Sequence, residues 1–498
     1  MTTVSEEPDR GRRDVPAGVV RSTAEAGRSA MDGEQLARAA GGRLLRAGQR
    51  AIRGGSVDSR IVRPGEAFFA LPGERSDGHA FLGEAVAAGA AAVVITKALA
   101  GERLDALWGP SRDVSVVVVP DAAEALRGVA SAWRDRFDPT VVGITGSLAK
   151  TSTKEQVAEL LAAHFRVLRS AGNLNNEIGL PLSLLRLDDS HEVAVLEMGL
   201  YTTGEIALLA RLARPSIGVV TAVREVHLSR AGSLDAIEAG KRELVEALPR
   251  SGWAVLNADD ARVRGMAAHT QASCLTYGFA DHADVAATSV TSLGALGMRL
   301  VLRLPEGSHS VTTPALGRHG VHNALAAAAV ATCLGMAASD IVDCLAREAP
   351  APHRSQLIRA GGWTILDDSY NASPDAMAAA LDLLADLPGR RLAVLGEMLE
   401  LGFVADAAHR KVGRHAAGSS HRLIVGGEGA RGIAEGAAAA GLSAAAIELA
   451  ADRPTALQLL LAQLRTGDTV LVKASRGAAL DLLVDELVRV VGEPGARA

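Results

Sequence analysis

The segment TVVGITGSLAKTSTKEQVAELLAAHF, residues 140–165, constrains this chain more than any other. A β-branched apolar run leads into a short glycine-bearing turn. A lysine, hydroxyl residues and a helical pattern follow, with Val157, Leu160, Leu161 and Phe165 on one face. Strand, tight turn and helix in that order form one unit of a parallel sheet with right-handed crossovers. Backbone N–H groups of the turn and the helix N-terminus then make an anion site. Gly146, Ser147, Ala149, Lys150, Thr151 and Ser152 line that turn. Lys150 is placed to reach outer phosphates, and Thr151 to offer a hydroxyl to a divalent cation. The strict G-x-x-x-x-G-K-[ST] pattern would need glycine at Ile144 and Ala149. If the backbone at 149 requires positive φ, alanine costs roughly 1 kcal/mol relative to glycine. A capped helix start with an incidental lysine is the alternative reading of this stretch taken alone.

The same alternation runs through most of the chain. VAVLE, IGVVTAV and WAVLN are short apolar strands with helical patterns between them, as are WTILDDS, RLAVLGEM, RLIVGG and TVLVKAS further on. Residues 1–22 read as a disordered tail, 23–120 as a small N-terminal α/β domain, 121–348 as the central domain and 349–498 as a third α/β domain. DAAEALRGVASAWRDRF, with helical spacing and an aspartate start, bridges the first to the second. The expected fold is thus α/β: a central parallel-sheet domain of the phosphate-loop ATPase type, flanked by a small N-terminal domain and a Rossmann-like C-terminal one.

Composition removes several classes of function. A net charge of −5 gives no footprint for nucleic acid. Cys274, Cys333 and Cys344 lie in no metal-ligand spacing and form no disulfide framework, which suits a reducing compartment. The N-terminus has no apolar signal core, and no apolar run is long enough for a membrane span. A cytoplasmic protein is expected. Lysine is scarce: Lys97, Lys150, Lys154, Lys241, Lys411 and Lys473 are six of 52 basic residues. Arginine cannot supply a compact ammonium or a deprotonatable amine, so each of these lysines invites a chemical question.

Further candidates stand at strand ends, where open α/β sheets bind ligands. Glu197 ends VAVLE and suits a Mg²⁺ that bridges phosphates. AGNLNNEIGLP carries Asn173, Asn175 and Asn176, amides able to orient phosphates or simply to make turns. His227 follows IGVVTAV, and Lys241 sits in a helical segment where a buried amine could add CO₂ and become an anionic carbamate. ILDDSYNASP puts Asp367 and Asp368 at a strand end, suited to ribose hydroxyls or to helix capping. Asn323 in HGVHNALAAAA could meet an adenine edge or cap its helix.

Together these stretches resemble the Mur ligase family, ATP-dependent amide-forming enzymes of peptidoglycan precursor synthesis. ITGSLAKTSTKE, AGNLNNEIGLPLSLLRL, HLSRAGSLDAIEAGKRELVEALP, NADD, DDSYNASPDAM, LGEMLELG and LVKASRG carry the resemblance in the family's order. LNNEIG and DDSYNA point within the family to joining D-alanyl-D-alanine to UDP-N-acetylmuramoyl-tripeptide. The resemblance implies an acyl-phosphate intermediate, release of ADP and phosphate, and a UDP-substrate domain in VDSRIVRPGEAFFALPGERSDGHAF. It implies that Lys150 contacts the outer phosphates, that Thr151 and Glu197 bind one Mg²⁺, and that His227 and a carbamylated Lys241 help hold a second. Gly146, Ser147, Ala149, Ser152, Asn323, Arg354 and Asp368 would complete the ATP contacts. Ser59 and Arg60 would face the uridine diphosphate, Asn175 and Asn176 the substrate, and Tyr370 and Asn371 the incoming dipeptide. A monomer is expected. The sequence departs from the family at Ala149, in GLYTTGEI, at Gly320 and at Ala474. Two other readings stay open: a sister ligase with another amine, and a non-catalytic UDP-peptide or nucleotide binder.

Overall fold

A computed structural model describes residues 29–73, 76–97, 113–224, 232–347 and 353–492. The expected tail, 1–22, and His227 lie outside the described residues. The strands gather into three sheets. The first has five strands in the order Arg43–Arg46, Ser115–Val118, Ala92–Ile95, Ala67–Phe69 and Gly55–Ser56, parallel except for Arg43–Arg46.

The central sheet has nine strands. From Val167–Arg169 the order runs through Val193–Glu197, Thr140–Thr145, Ile217–Val220, Trp253–Asn257, Ser273–Gly278 and Val285–Ser292, all parallel. Met298–Leu304 and Gly307–Thr313 then close the edge as an antiparallel pair. The central sheet is thus the expected parallel sheet, with an antiparallel pair added at one edge. Only Pro305 and Glu306 join the last two strands, too few residues for a crossover, so the chain must fold straight back.

The third sheet has six strands: Gln356–Ala360, Trp363–Asp367, Thr469–Lys473, Arg391–Gly396, Arg422–Gly426 and Ile447–Ala450. Only the first of these is antiparallel to its neighbour.

The helix Ala122–Arg134 starts at Asp121, whose side chain accepts from Glu124 N. Its apolar stripe of Leu126, Val129 and Trp133 enters a core shared with Phe69 and Val94 of the first sheet and Leu196 of the central sheet. The Trp133 indole donates to Leu187 O at 3.0 Å. First and central units are thus joined by continuous apolar packing. The third unit meets the central one mainly around the helix Gly317–Cys333 and across a cavity, which is where the chemistry collects.

Candidate active site

The turn after Thr140–Thr145 answers the question its sequence posed. Ala149 has φ 61° and ψ 5°, the left-handed conformation that glycine adopts freely. Alanine carries this strain, and the helix Lys150–Ala162 starts directly after it. The helix has no side-chain cap at its N-terminus, which leaves its first N–H groups to a ligand or to water. Gly146 is needed more strictly. Its φ is 149°, and a Cβ there would stand 1.8 Å from Thr221 Oγ1. Thr221 in turn donates to Leu148 O at 2.5 Å, and so braces the turn from the neighbouring strand. Ser147 Oγ donates to Arg224 O at 3.1 Å.

The Lys150 ammonium donates to Gly146 O at 2.8 Å. Burial lowers its pKa, the Arg354 guanidinium adds to that, and the Glu197 carboxylate opposes it. Thr151 and Ser152 follow on the same wall of a cavity of about 630 Å³. That volume suits a nucleotide-sized ligand.

Glu197 ends its strand inside the same cavity and is only 1% exposed. One carboxylate oxygen accepts from Asn175 Nδ2 at 2.7 Å. The other, Oε2, is buried with no hydrogen-bond partner. A buried bare carboxylate oxygen is costly unless a cation or donor completes it. Among the described residues no three His, Cys, Asp or Glu side chains gather into a cage. One carboxylate and one hydroxyl beside a phosphate site match Mg²⁺, which keeps waters and phosphate oxygens as its other ligands.

Lys241 lies on the helix Leu234–Glu246 and is 3% exposed. Burial, reinforced by nearby Lys150, pushes its pKa well below that of a free lysine. A larger share of the amine is therefore neutral at physiological pH, the form that adds CO₂.

Asn323 faces the loop helix from Gly317–Cys333, and its Oδ1 accepts from Thr153 Oγ1 at 3.3 Å. Third-sheet residues close the other wall. Arg354 reaches across to Ser152 Oγ at 3.3 Å. Asp368 pairs with the Lys473 ammonium at 2.5 Å and accepts from Ser355 N. Tyr370 and Asn371 line the same space. Asp367 is turned away: it is fully buried, holding His353 Nδ1 at 2.7 Å and Ser369 Oγ at 2.6 Å.

Three further candidates make contacts of their own within the described residues. Asn176 Oδ1 accepts from Gly179 N at 2.8 Å, so its carbonyl holds the start of the helix Gly179–Leu184, although the residue borders a side pocket with Lys150 and Asn175. Ser59 and Arg60 lie on the first unit, outside the cavity lining. Ser59 Oγ donates to Glu84 at 3.0 Å, and the exposed Arg60 guanidinium folds back onto Asp58 at 2.6 Å.

Sequence reasoning assigned no role to Lys473, Arg476 and His319, all in the cavity wall. It also passed over Lys154, which is fully buried and donates to Ser170 O and Gly172 O at 2.7 and 2.8 Å. The scarcity of lysine was the available signal for two of these.

Comparison with known proteins adds an independent line. The Mur ligase middle domain model matches residues 144–331, the Mur ligase, glutamate ligase domain model residues 353–476, and the Mur ligase family, catalytic domain model residues 51–134. The UDP-N-acetylmuramoyl-tripeptide–D-alanyl-D-alanine ligase of Mycobacterium tuberculosis is 39% identical over 465 residues, 86% of this chain and 91% of that protein. The protein of the same name from Escherichia coli is 36% identical over 448 residues, covering 88% and 94%. A crystal structure of MurF from Acinetobacter baumannii superposes with a TM-score of 0.81 at 28% identity, covering 92% of this chain and 99% of that one. The MurF ligase from Thermotoga maritima in complex with ADP gives 0.75 at 27% identity, covering 88% and 98%.

Proposed function

The chain belongs to the Mur ligase family, and on that premise we propose that it is the ATP-dependent ligase joining D-alanyl-D-alanine to UDP-N-acetylmuramoyl-tripeptide. The observation that carries the reading is the buried, half-partnered Glu197 carboxylate beside Lys150 and Thr151, in a cavity closed by Arg354, Asp368 and Lys473.

A carboxylate is a poor electrophile, so the reaction needs an activated acyl group. The terminal carboxylate oxygen of the tripeptide attacks the γ-phosphorus of ATP, and ADP leaves. The neutral amine of the dipeptide then attacks the acyl carbon. The bond to the phosphate oxygen breaks, inorganic phosphate departs, and the new amide loses a proton.

This chain's residues supply the surroundings. The uncapped helix start and Lys150 meet phosphate charge. Thr151 and Glu197 would hold Mg²⁺, with His227 and a carbamylated Lys241 at a second ion. Bound Mg²⁺ would neutralise charge building on the transferring phosphoryl group. Asn175 fixes the Glu197 carboxylate. Asn323 would meet adenine and Asp368 ribose.

Phosphate release from ATP tests the proposal, with UDP-muramoyl-tripeptide and D-alanyl-D-alanine together and each omitted in turn. Release requiring both is expected. Release with another amine would make the protein a sister ligase. UDP-peptide binding without any release would make it a binder whose strained loop no longer works.

The carbamate has its own test. Lys241→Ala should lose most activity and regain part of it with a short carboxylic acid. Full activity without the acid would remove that role.

A further inference from the structure

The wall of the cavity carries four basic side chains with long stems: Lys150, Arg354, Lys473 and Arg476. Lys150 is held by Gly146 O, Arg354 by Ser152 and Lys473 by Asp368. Arg476 alone of the four has no hydrogen bond or ion pair to a described residue, and its guanidinium stacks on the Tyr370 ring at 4.6 Å from the centroid. Arg354 stacks on the same ring at 4.1 Å. Stacking uses the face of a guanidinium and leaves its edge N–H groups available.

The root of Arg476 is fixed. Ser475 is buried, its N–H donates to Glu397 O at 2.9 Å, and its hydroxyl accepts from Leu399 N at 2.9 Å. The Tyr370 hydroxyl is buried without a partner although the residue lines the cavity. Arg476 is exposed, but its anchored root and its stacking on Tyr370 hold a guanidinium fork beside an orphaned hydroxyl, a site suited to a planar anion.

Which anion belongs there follows from the reaction proposed above, on which this inference rests. Nucleotide phosphates meet Lys150 and the helix start at the opposite, central-domain wall. The dipeptide must present a neutral amine at the acyl carbon, and its one remaining charge is the carboxylate at its far end. Carrying that carboxylate into a cleft needs a guanidinium partner. We propose that Arg476, stacked on Tyr370, is the specificity residue that anchors the C-terminal carboxylate of the incoming amine substrate. The amine substrate is thereby restricted to short peptides with a free C-terminus.

The test compares D-alanyl-D-alanine with its C-terminal amide, in the wild-type protein and in Arg476→Gln. The wild type should show a KM for the amide about 10- to 100-fold above that for the free acid, the range for losing a charge-assisted pair. Arg476→Gln should raise the KM for the free acid by a similar factor and leave that for the amide unchanged. The KM values for ATP and UDP-peptide should stay within about twofold, since other groups meet those substrates. A variant that keeps the preference for the free acid overturns the proposal. So does a rise confined to the KM of ATP or of UDP-peptide, which would make Arg476 a phosphate or peptide contact. A wild type that discriminates poorly between acid and amide overturns it without any variant. If the wild type needs no dipeptide for phosphate release, the ligase reading falls too; if it needs the dipeptide but Arg476→Gln changes nothing, only the anchor falls.

Discussion

Ala149 shows how one residue can be wrong for its backbone and still stand at the start of an intact helix. Its φ of 61° belongs to glycine, yet the helix after it runs unbroken to Ala162. Ala149→Gly should therefore stabilise the protein by up to about 1 kcal/mol, because relief of strain is partly offset by a more flexible unfolded chain. Chemical denaturation measures this, and a loss of stability would show that the strain is not real. Gly146→Ala is the opposite case. Positive φ and a 1.8 Å approach to Thr221 Oγ1 leave no room for a methyl. That change should cost about 2–4 kcal/mol, read from the shift of the denaturation midpoint, and should abolish nucleotide binding.

Between residue and domain, the loop 170–176 acts as one element. Lys154 clamps its backbone at Ser170 and Gly172, and Ser170 Oγ accepts from Glu197 N at 3.2 Å. Asn175, on the same loop, holds the Glu197 side chain. Lys154 thus supports the Glu197 carboxylate, proposed above as a Mg²⁺ ligand, without touching it. It also pairs with Glu155 at 2.8 Å, which keeps Arg169 at 3.1 Å, so truncation strands two carbonyls. Lys154→Met should cost about 2–4 kcal/mol. It should also raise the Mg²⁺ concentration needed for half-maximal activity more than the KM for ATP. Equal changes in both would mean that Lys154 serves stability alone.

Across the whole molecule the two junctions differ in kind. First and central units share a continuous apolar core through Trp133 and Leu126, so they should move together. Central and third units face each other across the cavity, with Arg354 to Ser152 and His319 to Ser355 among the bonds that cross it. His353 and Ser355, on either side of Arg354, both have positive φ, at 59° and 47°. Backbone strain at such a junction marks a segment able to rearrange. Nucleotide and UDP-peptide together should compact the molecule in solution scattering. An unchanged radius of gyration with both ligands bound would count against closure at this junction.

Sequence alone determined the αβ alternation, the strand end at Glu197, the helix start at Lys150 and the bridging helix after Asp121, because each depends on residues within a turn or two of one another. It also carried the family resemblance, which rests on short contiguous stretches. Tertiary structure decided the rest. Lys473 and Asp368 are 105 residues apart, and only the parallel pairing of Trp363–Asp367 with Thr469–Lys473 brings them to 2.5 Å. Asn176 could have served a ligand or the local backbone, and only the folded loop shows its carbonyl accepting from Gly179 N at 2.8 Å. That residue 149 has a left-handed backbone shows only in the folded turn, which Thr221, 73 residues away from Leu148, braces. Local patterns encode local elements. The charge a buried side chain meets is set by sheet register, and no window of neighbouring residues contains it.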